Sequence, residues 1–90
     1  MRIYGVICYY RDWNKNLKQD IVEVVSDNED RAKKLALQIV KKVYFCDPVV
    51  IGCEVPGNPS GVWDYGPAAQ SDIDAWKSHC KKYNINTNIN

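Results

Sequence analysis

Four cysteines, Cys8, Cys46, Cys53 and Cys80, and a single histidine, His79, are the residues through which this 90-residue chain could bind a metal or attack an electrophile. Their spacing argues against both. Six residues separate Cys46 from Cys53, wider than the short C-x₂₋₄-C knuckle of most zinc sites. His79 adjoins Cys80, and neighbours on a helix point about 100° apart, so the two cannot converge unaided. Cys8, Cys53 and Cys80 each fall in phase with apolar neighbours, the pattern of cysteines used as small core hydrophobes. Two disulfides would require a secreted context, so free thiols are expected. Neither a metal nor a cofactor is expected. A Cys/His-dependent or zinc-binding enzyme is the alternative that this residue set leaves open.

Acid-base chemistry would have to come from Glu54, Asp64, Asp72 and Asp74, which border the long loop before the last helical stretch. Asp72 and Asp74 have an ordinary use at a helix N-terminus, where carboxylates complement the helix dipole. The glycines at 57, 61 and 66 fit no phosphate-binding loop, and no dinucleotide fingerprint follows the first strand, which speaks against nucleotide binding. The chain is therefore expected not to be an enzyme.

Aromatic residues are the stronger lead. The stretch Pro56–Pro67 holds three of the four prolines and three of the five glycines, yet carries Trp63 and Tyr65 with Asp64 between them. Tyr10, Arg11 and Trp13 gather at a turn earlier in the chain. Trp, Tyr and Arg are over-represented among binding hot spots, and loops on a rigid scaffold are where recognition residues collect. These six residues, Tyr10, Arg11, Trp13, Trp63, Asp64 and Tyr65, are the expected partner-binding set. The function they suggest is a small non-catalytic protein–protein interaction module, an inhibitor or adaptor of the kind found among small proteins of phages and mobile elements. The competing use of Trp63 or Trp13 is to fold inward and complete a small core. Trp76, in an apolar helical pattern, is expected to be core.

A second reading is nucleic-acid binding. Arg31, Lys34, Lys41 and Lys42 fall within about 100° of one another on a helix, opposite its apolar stripe. Any amphipathic helix has such a solvated face, however, and twelve basic against eleven acidic residues leave a formal charge of only +1.

The elements that must position these residues follow from periodicity. Residues 2–11 are apolar on both faces and rich in β-branched and aromatic side chains, as in a central strand. Asp12-Trp13-Asn14-Lys15-Asn16 supplies turn chemistry, and a second strand over about Leu17 to Val25 completes a hairpin. Ser26 to Glu29 reads as a capping box with Ser26 as N-cap. Ala32, Leu35, Ala36, Ile39, Val40 and Val43 then form one apolar stripe on a helix extending to about Tyr44. Val49–Val55, between two prolines, reads as a third strand with Val49, Ile51, Cys53 and Val55 facing the core. A short strand at Val62 to Tyr65 can interrupt the loop. A shorter helix capped by Ser71 carries Ile73, Trp76, Cys80 and Tyr83 on its apolar side.

The expected fold is α+β: a two-layer sandwich in ββαβ(β)α order, with a mostly antiparallel sheet of three to four strands under one main helix and a C-terminal helix. Ninety residues hold one core, so residues 1–84 form a single domain and the Asn-rich stretch 85–90 is expected to fray. No stretch approaches the roughly 20 apolar residues of a membrane span, and no signal-peptide pattern opens the chain. A cytoplasmic protein with a protein partner is the resulting expectation.

Overall fold

The computed structural model describes residues 1–88. Six elements follow in order: β1 (Arg2–Arg11), β2 (Leu17–Ser26), α1 (Glu29–Lys42), β3 (Asp47–Ile51), β4 (Val62–Pro67) and α2 (Gln70–Tyr83). This is the α+β arrangement in the order expected.

β1 is apolar on both faces because it is central. β2 pairs with it antiparallel along its whole length, from Arg2 opposite Ser26 to Arg11 opposite Leu17. On its other side β1 has two partners, placed end to end. β3 pairs antiparallel with Cys8–Arg11, and β4 pairs antiparallel with Arg2–Val6. β2 and β3, each antiparallel to β1, therefore run parallel to one another, and α1 crosses over β1 to join them.

One sheet face carries Tyr4, Val6 and Cys8 opposite Val24, Val22 and Asp20. α1 covers this face with Ala32, Leu35, Ala36, Ile39 and Val40, all buried, as the apolar stripe requires. Each such Leu or Ile side chain contributes roughly 1.5–3 kcal/mol by leaving water. α2 packs along β2 and adds Trp76 and Cys80 to the same core, with Ile73 and Tyr83 half-buried. The second helix thus presents the apolar side its spacing implies.

The opposite sheet face, carrying Ile3, Gly5, Ile7 and Tyr9 of β1, is flanked by α2 only at its Ile3 end. Ile21 on β2 and Val50 on β3, which belong to this face by register, are both more than two-fifths exposed.

Several boundaries depart from the sequence expectation. Asn28, not Ser26, is the N-cap of α1: its side-chain oxygen accepts from the Arg31 amide at 2.9 Å. Ser26 is retained by β2, where it pairs with Arg2 and is buried, its hydroxyl donating to the Asn28 carbonyl. α1 stops at Lys42, two residues short of Tyr44. β3 begins and ends earlier than Val49–Val55. A bulge between Tyr9 and Tyr10 breaks the alternation, so Val49 is exposed, and Gly52 at φ 65° turns the chain out of the sheet before Cys53 and Val55. α2 starts at Gln70 with Ala69 rather than Ser71 at its cap, and the Asp72 carboxylate accepts from the Ala69 amide at 3.0 Å.

Of the tail expected to fray, Ile85 is only 7% exposed. The Asn84 and Ile85 amides both reach the Cys80 carbonyl through a left-handed Asn84 at φ 54°, the Schellman arrangement. Gln38 then donates to the Asn86 carbonyl and accepts from its amide. Residues 85–87 are therefore held against α1, while 89 and 90 lie outside the described residues.

Candidate functional site

β1 distributes the sequence-selected aromatics to two ends of the sheet. Trp13 lies beyond Arg11, whereas Trp63 pairs opposite Gly5. Six residues of strand separate Gly5 from Arg11, roughly 20 Å at about 3.3 Å per residue, and Trp13 lies beyond that. The two groups do not meet at one spot.

At the hairpin end, the turn is rigidly built. Lys15 N–H donates to the Asp12 carbonyl at 2.9 Å, the Asp12 carboxylate accepts from the Asn16 amide at 2.9 Å, and Asp12 N–H donates to the Asn16 carbonyl at 3.1 Å. Lys15 takes the left-handed conformation at φ 65°, and the Arg11 guanidinium donates to its carbonyl. Arg11 thereby braces the turn. Trp13 projects from this frame at 89% exposure.

The exit of α1 lies beside it. Arg11 pairs with Asp47, and Phe45 stands two residues before Asp47 just as Trp13 stands two residues after Arg11. Both therefore lie beyond the same end of the β1–β3 ladder. The Tyr44 amide reaches the Ile39 carbonyl and the Cys46 amide the Val40 carbonyl. That wide turn places Phe45 at φ 54° with 82% of its surface exposed. Leu17 and Val49 add exposed apolar surface nearby in register. Tyr10, by contrast, is half-buried on the helix side, its ring edge-on to Tyr44 at 5.5 Å. Burial first, and the Asp20 carboxylate second, push the Tyr44 hydroxyl up to about 12.

At the other end, the Pro56–Pro67 stretch divides in two. Gly52 to Gly61 is an excursion whose ends close on Ile7: the Gly52 amide donates to the Ile7 carbonyl at 2.8 Å, and the Ile7 amide donates to the Gly61 carbonyl at 3.0 Å. Inside it, Val55 and Asn58 exchange both backbone hydrogen bonds around Pro56-Gly57, and the Asn58 side chain donates to Val62. β4 follows. Trp63 is half-buried on the face without α1, and Tyr65 lies across Gly5 on that face, at a bulge in the β1–β4 pairing. Asp64 is used internally, taking a two-pronged contact from the Arg2 Nε at 2.9 and 3.0 Å and a bond from the Gly66 amide. The Arg2 hydrogen bond first and the Gly66 amide second hold its carboxyl below the usual carboxylate range.

The basic face of α1 is partly consumed. Arg31 donates to the Thr87 carbonyl and pairs with Asp27, and the Lys42 ammonium donates to the Asn84 carbonyl at 2.7 Å. Lys34 and Lys41 are exposed. The cysteines are unbridged. Cys8, Cys46 and Cys80 are buried, and burial, reinforced by Asp20, pushes the Cys8 thiol up to about 12. His79 stacks on Trp76 at 5.8 Å. Among the described residues, no group of three His, Cys, Asp or Glu side chains is placed to hold a metal ion, and no helix is long and apolar enough to cross a membrane.

Sequence reasoning missed Phe45, Val49 and Leu17. Phe45 falls just outside the apolar stripe of α1 and two residues before the strand that contains Pro48, so its only signal was a large aromatic in a connection. No protein-family model matches this chain, and neither a curated protein nor a solved structure does.

Proposed function

We propose that this protein is a non-catalytic interaction module that binds a protein partner through the hairpin end, with Trp13 and Phe45 as paired anchors and Leu17 and Val49 beside them. The observation that carries this reading is Phe45. A non-glycine residue in the left-handed region costs roughly 1–2 kcal/mol, and this one also leaves a phenyl ring in water. Strained residues that persist without a folding benefit concentrate at functional positions. Trp13 supports the same reading, since an almost fully exposed Trp on a braced turn loses little conformational freedom when it docks.

This moves the partner surface from the six residues first selected to one end of that set. Trp13 is retained, Arg11 becomes a brace, Tyr10, Asp64 and Trp63 serve the scaffold, and half-exposed Tyr65 lies across Gly5 away from the hairpin end. Partner capture from the native lysate, with wild-type and variant baits compared, tests the reading. Trp13→Ala and Phe45→Ala each remove the captured protein while leaving thermal unfolding within the small range of surface changes, about 0.5 kcal/mol. Phe45→Gly goes further, losing the partner and gaining stability by roughly 0.5–1 kcal/mol through relief of the backbone. Retention of the same partner by Trp13→Ala/Phe45→Ala defeats the proposal.

A further inference from the structure

A second recognition element lies away from the hairpin end, where α2 meets the start of β1 and the end of β2. There a cleft of about 260 Å³ is lined by Ile3, Glu23, Val25, Asp72, Trp76 and His79, with Ala75 at its wall. We propose that this cleft receives an arginine side chain of a protein partner.

Its size selects the occupant. Small-molecule sites usually measure roughly 300–1,000 Å³, so this cleft is scaled to one side chain rather than a whole ligand. Its chemistry selects arginine. Ile3, Val25 and Ala75 supply apolar surface for an aliphatic stem, and the half-buried His79 ring, stacked on the largely buried Trp76, supplies aromatic surface for a planar cation. Two carboxylates approach from different elements, Glu23 from β2 and Asp72 from α2, and no lysine or arginine lines the cleft. Asp72 is held in place by accepting from the Ala69 amide through Oδ2, which leaves Oδ1 free to accept. Glu23 makes no ion pair among the described residues. A guanidinium has a rigid fork of donors that can engage two carboxylates at once and a flat face that stacks, whereas an ammonium is a compact point charge. Nothing in this assignment depends on the hairpin end.

The test is a two-dimensional NMR titration with N-acetyl-arginine methylamide, its neutral isostere N-acetyl-citrulline methylamide, and N-acetyl-lysine methylamide. The arginine compound is expected to shift Ile3, Val25, Ala75 and the Trp76 indole, and to do so more strongly than either control. Glu23→Gln weakens binding roughly 2- to 5-fold, the range for a partly exposed ion pair. Ala75→Phe fills the cleft without removing a charge and abolishes the response. An equal response to citrulline or to lysine overturns the guanidinium assignment. Shifts confined to other surfaces, or none from the arginine compound, overturn the site.

Discussion

Gly61→Ala should be among the most damaging single-methyl additions available to this fold, and its cost can be worked from the geometry. Gly61 sits at φ 67°, and a Cβ there would collide with the Cys53 carbonyl oxygen and lie 2.6 Å from the Cys53 nitrogen. These are backbone atoms, so no side chain can swing aside. The left-handed backbone accounts for roughly 1–2 kcal/mol and the overpacking for roughly 1–3 kcal/mol, together roughly 2–5 kcal/mol. In a domain this small, that lowers the melting temperature by roughly 8–40 °C. Gly57→Ala is the matched control. Gly57 has a similar conformation, φ 81°, but a Cβ there meets nothing within 4 Å, so only the conformational part, roughly 1–2 kcal/mol, applies. Urea unfolding of both variants measures the difference. A local signature accompanies it: the Ile7 amide, which donates to Gly61, should lose hydrogen-exchange protection in Gly61→Ala and keep it in Gly57→Ala. Equal destabilisation of the two variants, or unchanged Ile7 protection, would show that the excursion is not closed at Gly61.

Asp64, held below its usual range by Arg2 and then the Gly66 amide, contributes stability above its unfolded value near 3.9 and loses it as pH falls through the lower folded value; an NMR carboxyl titration should find that lower midpoint, and Arg2→Gln should raise it. The opposite limb is governed by neutral acids. Cys8 rises from 9.0 to about 12 and Tyr44 from 10.0 to about 12 in the fold, so the unfolded chain releases those protons first and stability should fall between about 9 and about 12; Tyr44→Phe should flatten that slope in urea unfolding. Cys53, the one half-exposed thiol, should react with an alkylating reagent before buried Cys8, Cys46 and Cys80, as peptide mass mapping would report. Ile85→Ala should cost roughly 2–5 kcal/mol, since Ile85 is buried in the core formed with α2; a loss under about 0.5 kcal/mol in chemical unfolding would show the tail to be dispensable.

The elements with strong periodicity were legible because one physical requirement dominated each. The Ala32-to-Val40 stripe can bury itself only as a helix on a sheet, and the doubly apolar Ile3–Tyr9 run only as a central strand. What escaped was competition between local signals and pairing. Ser26 has the chemistry of an N-cap, yet β2 claims it because Arg2 lies opposite, and the cap passes to Asn28. The alternation Val49, Ile51, Cys53, Val55 implies a four-point core face. A bulge and a left-handed Gly52, neither visible to a period of two, expel Val49 and end the strand at Ile51. Likewise the Pro/Gly composition around Trp63 reads as one long loop, because composition cannot reveal that β1 has a vacant edge from Arg2 to Val6 that only Val62–Pro67 can complete.

That edge of β1 also bears on which end of the sheet the proposed partner surface occupies. Once β4 closes it, Trp63 pairs opposite Gly5, Tyr65 lies across Gly5 and Asp64 is committed to Arg2, so these loop residues have places in the scaffold. No such use exists for Phe45. α1 must leave the helix face and reach Asp47 beside Arg11, and glycine or asparagine would make that left-handed turn at lower cost. A phenylalanine there carries backbone strain and exposes apolar surface, and the hairpin turn carries Trp13, exposed as well but without a left-handed backbone. Trp13 and Phe45, on segments braced by hydrogen bonds beyond the same end of the β1–β3 ladder, are therefore the positions on which the proposed partner surface rests.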